Sequence, residues 1–153
     1  MKKDEYWMKF AIIEAEKAFE KGEIPVGAVI VKDGKIIGRG CNLRETLKDP
    51  TAHAEIIAIT SAAQTVQDWR LDDSTLYVTL EPCPMCAGAI LNARIRRLVF
   101  GAYDEKYGAC SSLDNILDGR YLNHKVIVKG GVLKDKSEYL LRQFFEILRR
   151  NGN

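Results

Sequence analysis

The sequence predicts an α/β domain in which helices cover both faces of a five-stranded mixed sheet. Three observations carry that prediction. Helical periodicity opens the chain, a hairpin signal follows, and apolar β-rich runs then alternate with helical stretches. The runs "AVIV" and "LYVTL" are almost wholly apolar, as strands covered on both faces must be. The link from Ala102 to Asn123 is long enough to hold a crossover helix, which predicts that the last two long strands run parallel.

In chain order, Trp7, Met8, Ala11, Ile12, Ala15, Ala18 and Phe19 recur at three- and four-residue steps, with Lys9, Glu14, Glu16, Lys17 and Glu20 off that stripe. This is an amphipathic first helix that stops near Gly22. "PVGAVIV" and "KIIGRG" then flank Asp33-Gly34, a pair that accepts the positive φ a tight hairpin turn demands. "DPTAHAEIIAITSAAQTV" reads as a second helix, started by Pro50 and Thr51 and buried through Ile56, Ile57, Ile59 and Ala63. "TLYVTL" is a strand, "PMCAGAILNA" a helix and "IRRLVFGA" a strand. "SSLDNIL" is expected as a short helix, "HKVIVKG" as the fifth strand and "KSEYLLRQFFEILRR" as a closing amphipathic helix. Ile90 and Leu91 suit either a core or an interface. No repeat, linker or low-complexity segment intervenes, so residues 1–153 are expected to form one domain.

Hydrophobic residues at 46% and charged residues at 29% are ordinary for a soluble globular protein. The mixed charge at the start speaks against a secretory signal. No apolar run approaches the ~20 residues that span a bilayer. The expectation is a cytoplasmic protein without a membrane role, its thiols reduced. The net charge of +2 is unevenly spread: from Arg120 onward eight basic residues face three acidic ones, a balance of +5 against −3 for the rest. Such a basic end fits a polyanionic partner, and equally a solvated helix face.

The chemistry concentrates in "EPCPMC", residues 81–86. Four cysteines, Cys41, Cys83, Cys86 and Cys110, are too few and too unevenly spaced for a disulfide scaffold, so Cys-x-x-Cys reads as metal or redox chemistry. Cys83 and Cys86 lie at a strand-to-helix junction where both thiolates can face one side of the first turn. Pro84 fits that turn because its missing N–H is not needed there, and the positive helix end favours thiolates. A catalytic zinc takes three protein ligands and keeps one position open. Of the two histidines, His124 sits among strand residues and is expected to be structural. His53 opens the second helix as "HAE", which places Glu55 beside the metal as a general acid/base. His-x-Glu with Pro-Cys-x-x-Cys is the known signature of zinc nucleobase deaminases. The alternatives are a closed zinc site with Cys41, Cys110 or His124 as fourth ligand, a zinc-stabilised RNA-binding module without catalysis, and a redox pair.

The stretches "DPTAHAEIIAI", "LYVTLEPCPMCAGAIL", "FGAYDEKYGA" and "NHKVIVKGGVL" resemble the bacterial tRNA-specific adenosine deaminases of the cytidine deaminase-like superfamily, over nearly the whole chain. The resemblance implies a three-layer α/β/α fold and one Zn²⁺ per subunit on His53, Cys83 and Cys86. It also implies a homodimer whose subunits help build each other's sites. Its substrate would be a tRNA anticodon stem-loop rather than DNA, its reaction hydrolysis of the wobble adenosine to inosine, with Glu55 moving the protons. On the residues alone Asn42 is equally a turn asparagine capping its own backbone, but its position matches the family's base-binding asparagine. Asp104 with its loop, Phe144, Phe145 and Arg149 are implicated in RNA contact, with Phe145 expected to reach outward, and Arg44 is a phosphate candidate. For Glu81, a neighbouring strand or loop and the substrate both stay open as partners. A guanine or cytosine deaminase acting on free bases would share the same metal motif.

Overall fold

The computed structural model describes residues 2–152. Helix α1 (Lys2–Glu20) carries Asp4 and Glu5 in its first turn, where the helix dipole favours anions. It buries Met8, Ala11, Ile12, Ala15 and Ala18, while Trp7 and Phe19 are half-buried. Strands β1 (Gly27–Lys32) and β2 (Lys35–Cys41) pair antiparallel around Asp33 (φ 53°) and Gly34 (φ 72°). Both turn residues are left-handed, as the sequence predicts for this hairpin. A single helical turn, α2 (Arg44–Leu47), precedes α3 (Ala54–Val66). Then come β3 (Thr75–Leu80), α4 (Pro84–Asn92), β4 (Arg97–Ala102), β5 (Ile127–Lys129) and α5 (Lys134–Gly152).

The five strands form one mixed sheet in the order β2-β1-β3-β4-β5. β1 is antiparallel to both its neighbours, whereas β3, β4 and β5 run parallel. Alternate residues feed two cores. Ala28, Ile30, Leu76, Val78, Leu98 and Phe100 pack with α3 and α4; Val29, Val31, Tyr77 and Val99 pack with α1 and the start of α5. The result is three layers, helix on sheet on helix. Ile90 and Leu91 belong to the first core.

Four expectations need correction. No helix forms over "SSLDNIL": the link from β4 to β5 is built of turns and the isolated bridges Cys110–Asn115 and Asp118–Lys125. Side chains take the backbone donors a helix would need, since Asn115 Oδ1 accepts from the Leu117 N–H and Asp118 Oδ1 from the Arg120 N–H. The second helix starts at Ala54 rather than at Pro50, because Asp49 Oδ1 captures the Thr51 N–H (2.9 Å) and hydroxyl (2.8 Å) in a local turn. Its fully buried face is Ala54, Ala58 and Ala62, with Ile56, Ile57 and Ile59 only half-buried. The reason is Gly38 and Gly40 of β2: a Cβ on Gly38 would stand 2.5 Å from the Ala58 carbonyl oxygen, and one on Gly40 2.7 Å from the Ala58 nitrogen. Only alanines fit over that glycine column, so α3 lies directly on the sheet. Finally, β5 spans only Ile127–Lys129 of "HKVIVKG".

Candidate metal centre and cleft

The close approach of α3 to β2 fixes where His53 stands. It is the N-cap of α3, extended at φ −77°, ψ 154°, with Glu55 two residues on inside the first turn. Cys83 is the equivalent N-cap of α4 (φ −76°, ψ 174°), Pro84 follows it at the helix start, and Cys86 lies one turn in and is fully buried. Two helix mouths therefore face each other across the ends of β1 and β3. His53 Nδ1 lies 3.7 Å from Cys83 Sγ and 3.5 Å from Cys86 Sγ. A tetrahedral zinc with Zn–S of about 2.3 Å and Zn–N of about 2.05 Å has S···N edges of about 3.6 Å. The trio fits zinc, through the Nδ1 atom of the imidazole.

Among the described residues, these three form a group able to hold a metal, and Cys41, Cys110 and His124 do not join it. Cys41 and Cys110 are buried thiols whose pKa burial raises. His124 Nε2 donates to the Ile95 carbonyl at 2.8 Å, the structural role expected of it. Cys83 and Cys86 are free rather than disulfide-bonded. The Cys83 pKa falls to about 4, because its sulfur accepts from the Cys86 thiol and from His53. Glu55 moves the other way. It is 4% exposed, and burial pushes its carboxyl up to about 7, with a thiolate at Cys83 adding to the rise.

Glu55, His53 and Cys83 open into a cleft of about 990 Å³. Asn42, Arg44, Asp104 and Phe145 line the same cleft, and Ile24, Val26, Leu80 and Pro84 give it apolar walls. Asn42 is pinned by its own neighbourhood: its Oδ1 accepts from the Arg44 N–H at 3.2 Å and its Nδ2 donates to the Ile24 carbonyl at 3.4 Å. Phe145 is 39% exposed, while Phe144 packs edge-on against Phe19, ring centroids 6.1 Å apart. Arg149 stands outside the main cleft, in a shallow depression beside Phe145.

Two further glutamates shape the cleft. Glu23, almost fully buried, accepts from the N–H groups of Glu45 (3.2 Å) and Thr46 (2.6 Å) and from the Thr46 hydroxyl (2.7 Å). It caps α2 from 22 residues upstream, which is why this turn is helical at all. Glu81 does the same for the opposite wall, accepting from the N–H groups of Asp104 (3.0 Å), Cys110 (3.3 Å) and Ser112 (2.8 Å) and from the Ser112 hydroxyl. Burial works to raise the Glu81 carboxyl, but these donors outweigh it and hold the pKa below the ordinary value. The only sequence signal for either role is a glutamate where a core residue would otherwise stand.

Residues 1–102 match the family described as the cytidine and deoxycytidylate deaminase zinc-binding region. The chain is 50% identical over 150 residues to a tRNA-specific adenosine deaminase of Bacillus subtilis, covering 98% of this chain and 93% of that one. It is 54% identical over 144 residues to the Haemophilus influenzae enzyme of the same name, covering 94% and 83%. A solved structure from studies of A-to-I editing by tRNA:A34 deaminases at the wobble position superposes with a TM-score of 0.85 at 44% identity, over 89% of this chain and 99% of that one.

Proposed function

Because the chain belongs to the cytidine and deoxycytidylate deaminase family and, within it, to the tRNA-specific adenosine deaminases, we propose that it hydrolyses the wobble adenosine of a tRNA anticodon to inosine, releasing ammonia. Zinc held by His53, Cys83 and Cys86 would supply a water whose pKa is lowered toward ~7. The remaining work falls to the chain's own residues. The carboxylate of Glu55 takes a proton from the attacking water and delivers it to the ring nitrogen next to the amino-bearing carbon; it then takes the hydroxyl proton of the adduct and passes it to the departing amine, leaving the ring carbonyl of inosine. A pKa near 7 suits a group that must accept and donate in one cycle.

The adenine must leave its stack to reach Glu55. Asn42, held by two backbone contacts, presents its amide to the base edge; the apolar walls take its faces. The Asp104 loop, Arg44, Phe145 and Arg149 then meet the anticodon outside the pocket, Phe145 by stacking on a splayed base. The observation that carries the reading is the opening of buried Glu55 into the same cleft as His53 and Cys83. A second copy of the chain completes the protein as a homodimer, the assembly that its resemblance to the tRNA-specific adenosine deaminases implies. No described helix is long and apolar enough to cross a membrane, and the cytoplasm is the compartment that suits a tRNA substrate.

The test is to incubate the zinc-loaded protein with an anticodon stem-loop carrying a wobble adenosine, and separately with guanine and with cytosine. Inosine in the stem-loop is the expected product. Ammonia from the free bases alone contradicts the proposal.

A further inference from the structure

Glu81 directly follows β3, two residues before Cys83, yet it is not one of the residues grouped to hold the metal. Every donor it receives comes from one loop, residues 104–112, whose members Asp104, Glu105, Lys106 and Tyr107 form a wall of the cleft. The grip is relayed onward. Asp104 Oδ1 accepts from the N–H groups of Lys106 (3.1 Å) and Tyr107 (3.0 Å), and the Asp104 carbonyl accepts from the Gly108 N–H (2.9 Å). Gly108 closes the cradle: a Cβ there would collide with the Glu81 carboxyl group and the Asp104 carbonyl oxygen. A carboxylate offers acceptors only, so it can satisfy converging N–H and O–H groups that an amide would meet with its own N–H₂.

We propose that Glu81 is a positioning residue for the RNA substrate. It ties the wall that meets the anticodon to the same strand end that delivers the zinc ligand Cys83, so that the two keep one fixed spacing. The inference rests on the tRNA deaminase reading of the site. Its consequence is a division of labour. Loosening the loop weakens capture of the stem-loop, while chemistry on a base that does reach Glu55 continues.

The test compares Glu81→Gln, Gly108→Ala and Ser112→Ala with the wild type, all zinc-loaded, on an anticodon stem-loop with a wobble adenosine. Wild-type turnover is the control: without it the functional reading itself fails, whatever Glu81 does. Given that control, Glu81→Gln is expected to raise KM about tenfold or more with kcat within about threefold, since hydrogen bonds to a charged group are lost. Gly108→Ala disturbs the same cradle without altering charge and should move KM in the same direction. Ser112→Ala should do so by about threefold. Zinc content stays at one per chain throughout. Unchanged KM in the folded variants overturns the proposal, as does a fall in kcat at constant KM or a loss of zinc. If Glu81→Gln fails to fold, the other two variants decide the matter by the same criteria.

Discussion

Glu55 and Glu81 border one cleft and are both almost closed to solvent, 4% and 2% exposed, yet their carboxyls shift in opposite directions. Burial disfavours a carboxylate in both places. At Glu55 that effect prevails and pushes the carboxyl up to about 7; at Glu81 loop donors overcome it and hold the carboxyl below its ordinary value. The lesson is that burial alone does not assign a role. Glu55 is the more deeply enclosed of the two and receives few directed donors, whereas Glu81 collects four from its loop; enclosure and donors together separate the proton carrier from the loop anchor. Asp4 shows a third solution, on the opposite face of the sheet. Its carboxylate is held by Arg97 at 2.7 and 2.9 Å, by Lys129 at 3.3 Å and by the Tyr77 hydroxyl at 2.9 Å.

The largest expected effect breaks the metal corner beside Glu55. Cys86→Ser removes a buried thiolate ligand; metal analysis should find zinc reduced to a small fraction of one per chain, with deamination lost alongside it. Next is Gly40→Ala, which forces a methyl group into the backbone of α3 and lifts the helix that carries His53 and Glu55. Overpacking of this kind costs about 1–3 kcal/mol, and thermal unfolding should show it together with weaker zinc retention.

Asp4→Asn sharpens the comparison by removing the cation-held carboxylate. The bonds from Arg97 hold the Asp4 pKa far below its ordinary value, against the opposing pull of burial. Its stabilising contribution is therefore present above pH ~4, where the unfolded carboxyl is ionised, and is lost as pH falls from there toward the folded value. Thermal unfolding between pH 7 and pH 2 should show the variant less stable by about 2 kcal/mol at neutrality, with the gap to wild type closing on acidification. The smallest effect belongs to Glu23→Gln, the counterpart of the Glu81 change on the α2 side. Loss of the cap should raise KM for the stem-loop by about threefold through Arg44 and Asn42, and lower the melting temperature by a few degrees, as the buried donors of Glu45 and Thr46 then face an amide N–H₂.

These assignments were unequally legible in the sequence. The hairpin was legible because Asp33 and Gly34 carry their conformational preference locally, and the parallel strands because their apolar runs and long connections leave few alternatives. The metal trio was legible because a strand-to-helix Cys-x-x-Cys and a helix-opening histidine each declare their geometry in a few residues. What escaped was long-range. Residue 44 opens a helix because a carboxylate at position 23 caps it, and residues 111–117 stay irregular because Glu81 holds Ser112 from 31 positions away while Asn115 bonds its own backbone. The alanine face of α3 is likewise dictated by glycines on another strand rather than by its own pattern of isoleucines.

The division of labour between the two cleft glutamates can be tested in one kinetic measurement. Zinc-loaded Glu55→Gln and Glu81→Gln are compared on the same anticodon stem-loop, with kcat and KM determined separately. Glu55→Gln is expected to lose about 10²–10⁴-fold in kcat with KM close to wild type, and Glu81→Gln to raise KM while keeping kcat. Near-normal turnover by Glu55→Gln with zinc in place would contradict it.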